Sequence, residues 1–172
     1  MDGTAPNPIS QALAAAIVAR RLANRGDVHL AIGLLCQSLR MAPEAPLVES
    51  AESWLTVENL RSLGVRPLRR LALTLARLAA EQPSRSSTSF GRWHNLRAGA
   101  RLLGRSRSCF PVEGRLYVSE AFVRHKLGDV DGKVAVARDA ARQMPRYWSG
   151  HEVISALAAR QSSPPLAPVK VG

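Results

Sequence analysis

The sequence predicts an all-α fold in which antiparallel helical hairpins stack on one another as an array. Two stretches support this prediction, residues 26–43 (GDVHLAIGLLCQSLRMAP) and residues 128–145 (GDVDGKVAVARDAARQMP). Each begins with a Gly-Asp pair, continues as an amphipathic run, and ends on a proline at the same distance from its glycine. A glycine with positive φ can close one helix, an aspartate can cap the next, and a proline can end it. Recurrence of a whole hairpin favours a repeat array.

The first hairpin is predicted over residues 12–45, after a disordered lead of residues 1–8. Its first helix starts at Ile9 and ends at Gly26, and its second ends before Pro43. Apolar residues at helical spacing mark one face of the first helix, Leu13, Ile17, Val18 and Leu22, and its partner carries Leu30, Ala31, Leu34, Leu35 and Leu39.

A degenerate hairpin is predicted over residues 46–83, with helices around residues 50–63 and 68–80 and a turn at residues 64–67 (GVRP). Pro67 suits the first turn of a helix, where its missing N–H costs little. A Ser-rich loop follows. Residues 90–111 are then predicted to form a single helix, residues 93–103, and a basic loop (GRSRSCFP).

The last hairpin is predicted over residues 114–147. A capping helix over residues 148–160 and a Pro-rich tail of residues 161–172 complete the chain. With 172 residues, of which 46% are hydrophobic and 5% aromatic, residues 9–160 are expected to form one domain whose core is Leu, Ala and Val.

The Gly-Asp turn, the small and apolar residues of the second helix, and the closing proline resemble the tetratricopeptide repeat (TPR). In the first hairpin Ala31, Ile32 and Leu35 match the pattern, and in the last Tyr117 and Ala121 stand at its large aromatic and small positions. Lys133 departs from the pattern, because it occupies the place of a small residue. The resemblance implies a short right-handed superhelix, or α-solenoid, that binds other proteins.

In the TPR family the first helix of each hairpin lines a concave binding face. The resemblance therefore implies a partner-binding groove along the first helices, with polar and aromatic members Arg20, Asn24, Arg115, Phe122, His125 and Lys126 and further members Leu13, Ala16, Ala23 and Val118. Basic side chains in a groove can hold a carboxylate by charge-assisted hydrogen bonds. The expected function is a non-catalytic interaction module or assembly scaffold, acting alone or within a larger complex, that binds an acidic or carboxylate-bearing protein segment.

Positive charge is concentrated in the middle of the chain. The protein has 24 Lys and Arg against 13 Asp and Glu, a net charge of +11, and its arginines cluster in residues 61–115. Arg97, Arg101 and Arg105 recur every four residues as a basic stripe. Clustered charge of this kind suits phosphate contacts, so a nucleic-acid-binding accessory protein is the alternative. A biased, Arg-rich genome would explain the composition equally well.

An enzyme is the second alternative, since Cys109 and His151 could serve as nucleophile and base. The run from Leu68 to Pro111 faintly resembles the papain-like peptidase of lasso-peptide maturation. That fold needs strands around its histidine and an orienting aspartate, whereas GHEVISALAARQ predicts a helix and no aspartate follows Asp139. No catalysis is therefore expected. The histidines lack metal-ligand spacing, and no cofactor motif occurs.

Two cysteines are too few for a disulfide framework and favour a reducing, cytoplasmic location. The longest apolar runs fall short of the ~20 residues of a membrane span. No basic segment typical of a signal peptide opens the sequence.

Overall fold

The computed structural model describes residues 5–81 and 89–144, and within these ranges the chain is helical, without a β-strand. The all-α prediction is thus confirmed. The predicted capping helix, the tail and Pro145 lie outside the described residues, as does almost all of the Ser-rich stretch. The helices are α1 Pro8–Asn24, α2 Val28–Met41, α3 Val48–Ala51, α4 Val57–Leu63, α5 Val65–Ala80, α6 Phe90–Cys109, α7 Gly114–Lys126 and α8 Val130–Gln143.

Both Gly-Asp turns form helical hairpins, α1 with α2 and α7 with α8. Gly26 has φ +93° and Gly128 has φ +75°, the conformation that glycine adopts at least cost. Asp129 caps α8 by accepting a hydrogen bond from the Gly132 N–H at 2.9 Å, whereas the Asp27 side chain makes no such bond. The two turns therefore share their backbone geometry while their caps differ.

The first helix begins at Pro8, so the predicted lead is one residue too long. Asn7 Oδ1 accepts a hydrogen bond from the Ile9 N–H at 3.0 Å, and Pro8 fills the first helical position. Proline suits this position because its ring fixes a helical φ and no N–H is needed there.

The helix predicted over residues 50–63 is not continuous, and to that extent the prediction is wrong. A turn interrupts it between α3 and α4, and Thr56 Oγ1 accepts from the Asn59 N–H at 3.2 Å to start α4 anew. The following turn is also shorter than predicted. Gly64 alone reverses the chain with φ +75°, so α5 already begins at Val65, and Pro67 lies in its first turn as expected.

The longest helix, α6, extends well beyond the predicted residues 93–103. Most of the predicted basic loop is helical, because its side chains have partners: Ser106 Oγ donates to the Leu102 carbonyl at 2.8 Å, and Arg105 and Arg107 bind acids on neighbouring elements. Gly99 permits a close crossing, since a Cβ there would lie 2.7 Å from a methyl of Leu75 in α5. Consequently α6 packs against α3, α4, α5 and α7 as a central helix.

A network of charges joins α6, α7 and α8. Its centre is Glu120, fully buried, which accepts from Arg107 Nε at 2.5 Å and from Arg124 Nε at 2.9 Å. Arg107 also binds Asp139 at 2.7 Å, and Arg124 binds Asp129 at 2.6 Å. Every member has an opposite charge beside it, which is the condition under which buried charges are tolerated.

Acid is expected to weaken this network. The hydrogen bond from Arg107 lowers the pKa of Asp139 from its ordinary 3.8, an effect that burial partly opposes. Because the folded-state pKa is the lower one, the stabilisation is fully present above the ordinary value and is lost as pH falls through the folded value. Urea midpoints measured between pH 7 and pH 3 should therefore fall less for Asp139→Asn than for the wild type. Parallel pH curves for the two proteins would contradict this prediction.

Candidate functional site

The first-helix residues that the TPR resemblance selects are not brought together. Arg20 and Asn24 are exposed on α1, which packs against α2 and α3, whereas Arg115 is exposed on α7, which packs against α5, α6 and α8. Phe122 is only 8% exposed and belongs to the core. These positions form two separate surfaces on helices that do not pack on each other extensively.

Lys126 and His125 are also partly or wholly covered. Lys126 is 5% exposed, its Nζ lies 5.7 Å from the centre of the Phe122 ring, and burial lowers the pKa of its amine. His125 is half-buried at the end of the same helix. Phe122 and Lys126 thus stabilise the end of α7 by packing, and little of either is presented at the surface.

The predicted basic stripe also has internal partners. Arg101 donates to Glu52 at 2.6 and 3.1 Å, and Arg105 donates to the same carboxylate at 3.2 Å and to the Leu55 carbonyl at 3.2 Å. The guanidinium of Arg97 lies 5.1 Å from the centre of the Trp93 ring. Arg101 and Arg105 therefore fasten α6 to the turn between α3 and α4, whereas the contact of Arg97 lies within α6.

Other arginines of residues 61–115 are likewise neutralised by carboxylates, several of them from outside that segment. The pairs are Arg69 with Glu113 at 2.5 Å, Arg92 with Glu44 at 2.9 Å, and Arg107 with Glu120 and Asp139. These carboxylates offset part of the positive charge that the sequence shows in this region.

A different set of arginines lines a groove between α2 and α5, which we call the basic groove. Its first part is a cavity of about 360 Å³ bounded by His29, Ile32, Gly33, Cys36, Arg66, Pro67 and Arg70. Its second part is a cavity of about 220 Å³ bounded by Leu39, Arg40, Pro43, Thr74, Arg77, Leu78 and Glu81. Early residues of both helices share the first cavity and late residues share the second, so α2 and α5 run in the same direction.

Four arginines of the basic groove, Arg40, Arg66, Arg70 and Arg77, are exposed and form no ion pair with any carboxylate in residues 5–81 and 89–144. Three of them follow one rim along α5, and Arg40 lies with His29 on the α2 rim. One carboxylate, Glu81, borders the groove at its far end.

The floor of the basic groove is formed by apolar side chains that are almost fully buried. Ile32, Cys36 and Leu39 are buried, while Gly33 leaves space, because a Cβ there would meet nothing within 4 Å. Burial raises the pKa of the Cys36 thiol, against the lowering effects of a hydrogen bond with Thr74 and of the charges on Arg70 and Arg40. The charges of Arg70 on α5 and of Arg40 on α2 thus both act on this thiol.

The start of α5 is electrostatically unfavourable as it stands. Cations near a helix N-terminus oppose the helix dipole, and like charges four residues apart repel each other. Arg66 and Arg70 stand in this arrangement, and the first turn contains no acid. This run, VRPLRR, is the signal by which the sequence could have pointed to the groove. Sequences that break local rules of helix stability, as these arginines do, are expected at functional sites.

No family model, curated protein or solved structure matches this chain at a significant level. The TPR resemblance therefore depends on the two Gly-Asp hairpins alone, and the basic groove has to be interpreted from its own chemistry.

The proposed catalytic pair cannot be assembled from the described residues. Cys109 is the last residue of α6 rather than part of a loop, and His151 lies outside the described ranges. Within residues 5–81 and 89–144 no group of three His, Cys, Asp or Glu side chains could hold a metal ion. In the same ranges no helix is long and apolar enough to cross a membrane.

Proposed function

We propose that this protein is a non-catalytic, TPR-like binding module or scaffold that holds an acidic or carboxylate-bearing segment of a partner protein in the basic groove. The observation behind this proposal is the set of four arginines, on two helices, that face one groove without a carboxylate partner among the described residues. Guanidinium groups bind carboxylates by charge-assisted, often bidentate hydrogen bonds. Two free cysteines are consistent with a reducing compartment such as the cytoplasm.

The lining of the groove favours a protein segment over a nucleic acid. Proteins that bind single strands combine positive charge with aromatic rings on which bases stack. No Phe, Tyr or Trp lines either cavity of the basic groove, and its floor consists of small and aliphatic side chains. Such a floor suits the backbone and small side chains of a peptide whose carboxylates reach the arginine rims.

The proposed position differs from the one that the TPR resemblance implies. The basic groove is bounded by α2, the second helix of the first hairpin, and by α5, the second helix of the predicted degenerate hairpin. The first-helix residues Arg20 and Arg115 are also exposed. They therefore provide a matched control that changes the net charge by the same amount.

The double variant Arg66→Gln, Arg70→Gln is expected to bind a fluorescein-labelled hexaglutamate peptide about tenfold more weakly than the wild type, because two charge-assisted hydrogen bonds are lost. Fluorescence anisotropy at low and moderate salt measures this. Folding stability should stay level or rise by a few tenths of a kcal/mol, because repulsion at the start of α5 is relieved.

The control variant Arg20→Gln, Arg115→Gln should keep wild-type affinity for the peptide. An equal loss in this variant would show that overall charge, or the first-helix surface, is responsible, and would overturn the proposed site. Tighter binding of an oligothymidylate of equal charge, lost steeply with salt, would favour the nucleic-acid alternative.

A further inference from the structure

We infer that the basic groove contains two anion subsites and recognises an extended segment whose acidic side chains are grouped about four residues apart. This inference rests on the proposed function and adds the pattern of the partner. The two cavities are separate, one at the His29 end and one at the Glu81 end, and each has arginine on its rim.

The first subsite is the more strongly basic. Arg66 and Arg70 lie one turn apart on α5 and face His29 across the groove, with no carboxylate in the lining. The second subsite combines Arg77 of α5 with Arg40 of α2, and Glu81 lies beside them. Each subsite thus offers two arginines to an acidic ligand, and the positive electrostatic potential is weaker at the second subsite because Glu81 lies there.

The spacing follows from helix geometry. The midpoint of Arg66 and Arg70 is nine residues before Arg77 (77 minus 68), which corresponds to about 13 Å along α5 at ~1.5 Å per residue. An extended chain advances about 3.3 Å per residue, so about four residues span the same distance. Acidic residues separated by that interval can reach both subsites at once.

The floor argues for an extended ligand. A helix that binds in a groove needs exposed apolar surface for the stripe of side chains that it buries. In the basic groove Ile32, Leu39 and Leu78 are at most 5% exposed, so these three side chains offer little surface for such a stripe. Gly33 adds room for a backbone to approach the floor closely.

The test compares peptides of identical composition and charge. Fluorescein-labelled EEAGEE places its two acidic pairs about four residues apart, and AEEEEG places the same residues together. We expect EEAGEE to bind the full chain about fivefold more tightly in fluorescence anisotropy, because it can occupy both subsites simultaneously. The variant Arg40→Gln, Arg77→Gln should bind the two peptides about equally, and should bind EEAGEE at least about fivefold more weakly than the wild type does, because only one subsite remains.

The outcomes separate this inference from the proposed function. Equal binding of the two peptides, or tighter binding of AEEEEG, would overturn the two subsites and leave a simple basic surface. Absence of binding by both peptides would overturn the proposed function itself. A preference for EEAGEE that persists in Arg40→Gln, Arg77→Gln but disappears in Arg20→Gln, Arg115→Gln would move the subsites to the first-helix surface and contradict the inference.

Discussion

The variant Glu120→Ala is expected to lose about 3–5 kcal/mol of unfolding free energy, the largest effect of any single substitution considered for this protein. Its carboxylate has no exposure and lies between Arg107 and Arg124. Removing it leaves two guanidiniums facing each other in a partly closed space. Each retains one further acid, Asp139 or Asp129, which places the expected loss toward the lower end of the range.

Chemical denaturation with guanidinium chloride or urea measures this loss as a shift in the midpoint. The matched control is Glu49→Ala. That carboxylate is 62% exposed, and its neighbour His94 lies 3.6 Å away, so less than about 1 kcal/mol should be lost. A similar small loss in Glu120→Ala would mean that the network contributes little to holding α6, α7 and α8 together.

The variant Asn95→Ala is expected to cost about 3 kcal/mol, because one buried side chain makes four hydrogen bonds to the backbone of a loop. Asn95 Oδ1 accepts from the Leu47 and Val48 N–H groups at 2.8 and 3.1 Å. Its Nδ2 donates to the Pro43 and Ala45 carbonyls at 3.1 and 2.7 Å. Alanine would leave these loop groups in the interior without their partner.

The same denaturation experiment applies, with Asn59→Ala as the control. Asn59 Nδ2 donates a hydrogen bond to the Trp54 carbonyl at 2.7 Å, so a loss of about 1 kcal/mol is expected. Hydrogen exchange at Leu47 and Val48 should accelerate in Asn95→Ala. Unchanged exchange there, or equal losses in the two variants, would show that the loop is held by other contacts.

The first hairpin and the hairpin of α7 and α8 could be predicted from the sequence because their signals are local. Gly26 and Gly128 need positive φ, and each is followed by an amphipathic run within one hairpin. The all-α class follows from the same patterns. Arrangement of the hairpins as a TPR-like superhelix stays a prediction.

The middle of the chain could not be predicted equally well, because its structure depends on distant partners. The helix α6 continues through RSRSC since Arg105 meets Glu52 and Arg107 meets Glu120, and no local pattern contains these pairs. Gly99 would lower helix propensity in isolation, yet it leaves room for a methyl group of Leu75 that would lie 2.7 Å from a Cβ.

The site was harder to predict for a related reason. Whether an arginine is available for a ligand depends on which acids the fold brings to it. Arg101 and Arg66 look alike in the sequence, but one binds Glu52 and the other has no carboxylate partner in the part of the chain that is described. The positions of Phe122 and Lys126 in the TPR pattern predict that they line a groove. Their side chains are buried instead, and this burial depends on how α7 packs against the neighbouring helices.

Because α2 and α5 run in the same direction, the two ends of the basic groove differ in chemical character. The N-termini of α2 and α5 both border the His29 end of the groove, and their C-termini both border the Glu81 end. Arg66 and Arg70 lie at the first end without a carboxylate in the lining, whereas Glu81 lies beside Arg40 and Arg77 at the second, so the positive potential is stronger at the first end. Under the proposed function, a partner segment whose charge is concentrated at its terminal carboxylate is expected to bind in a single polarity, with that terminus beside Arg66 and Arg70. A peptide and its reversed sequence should therefore differ in affinity.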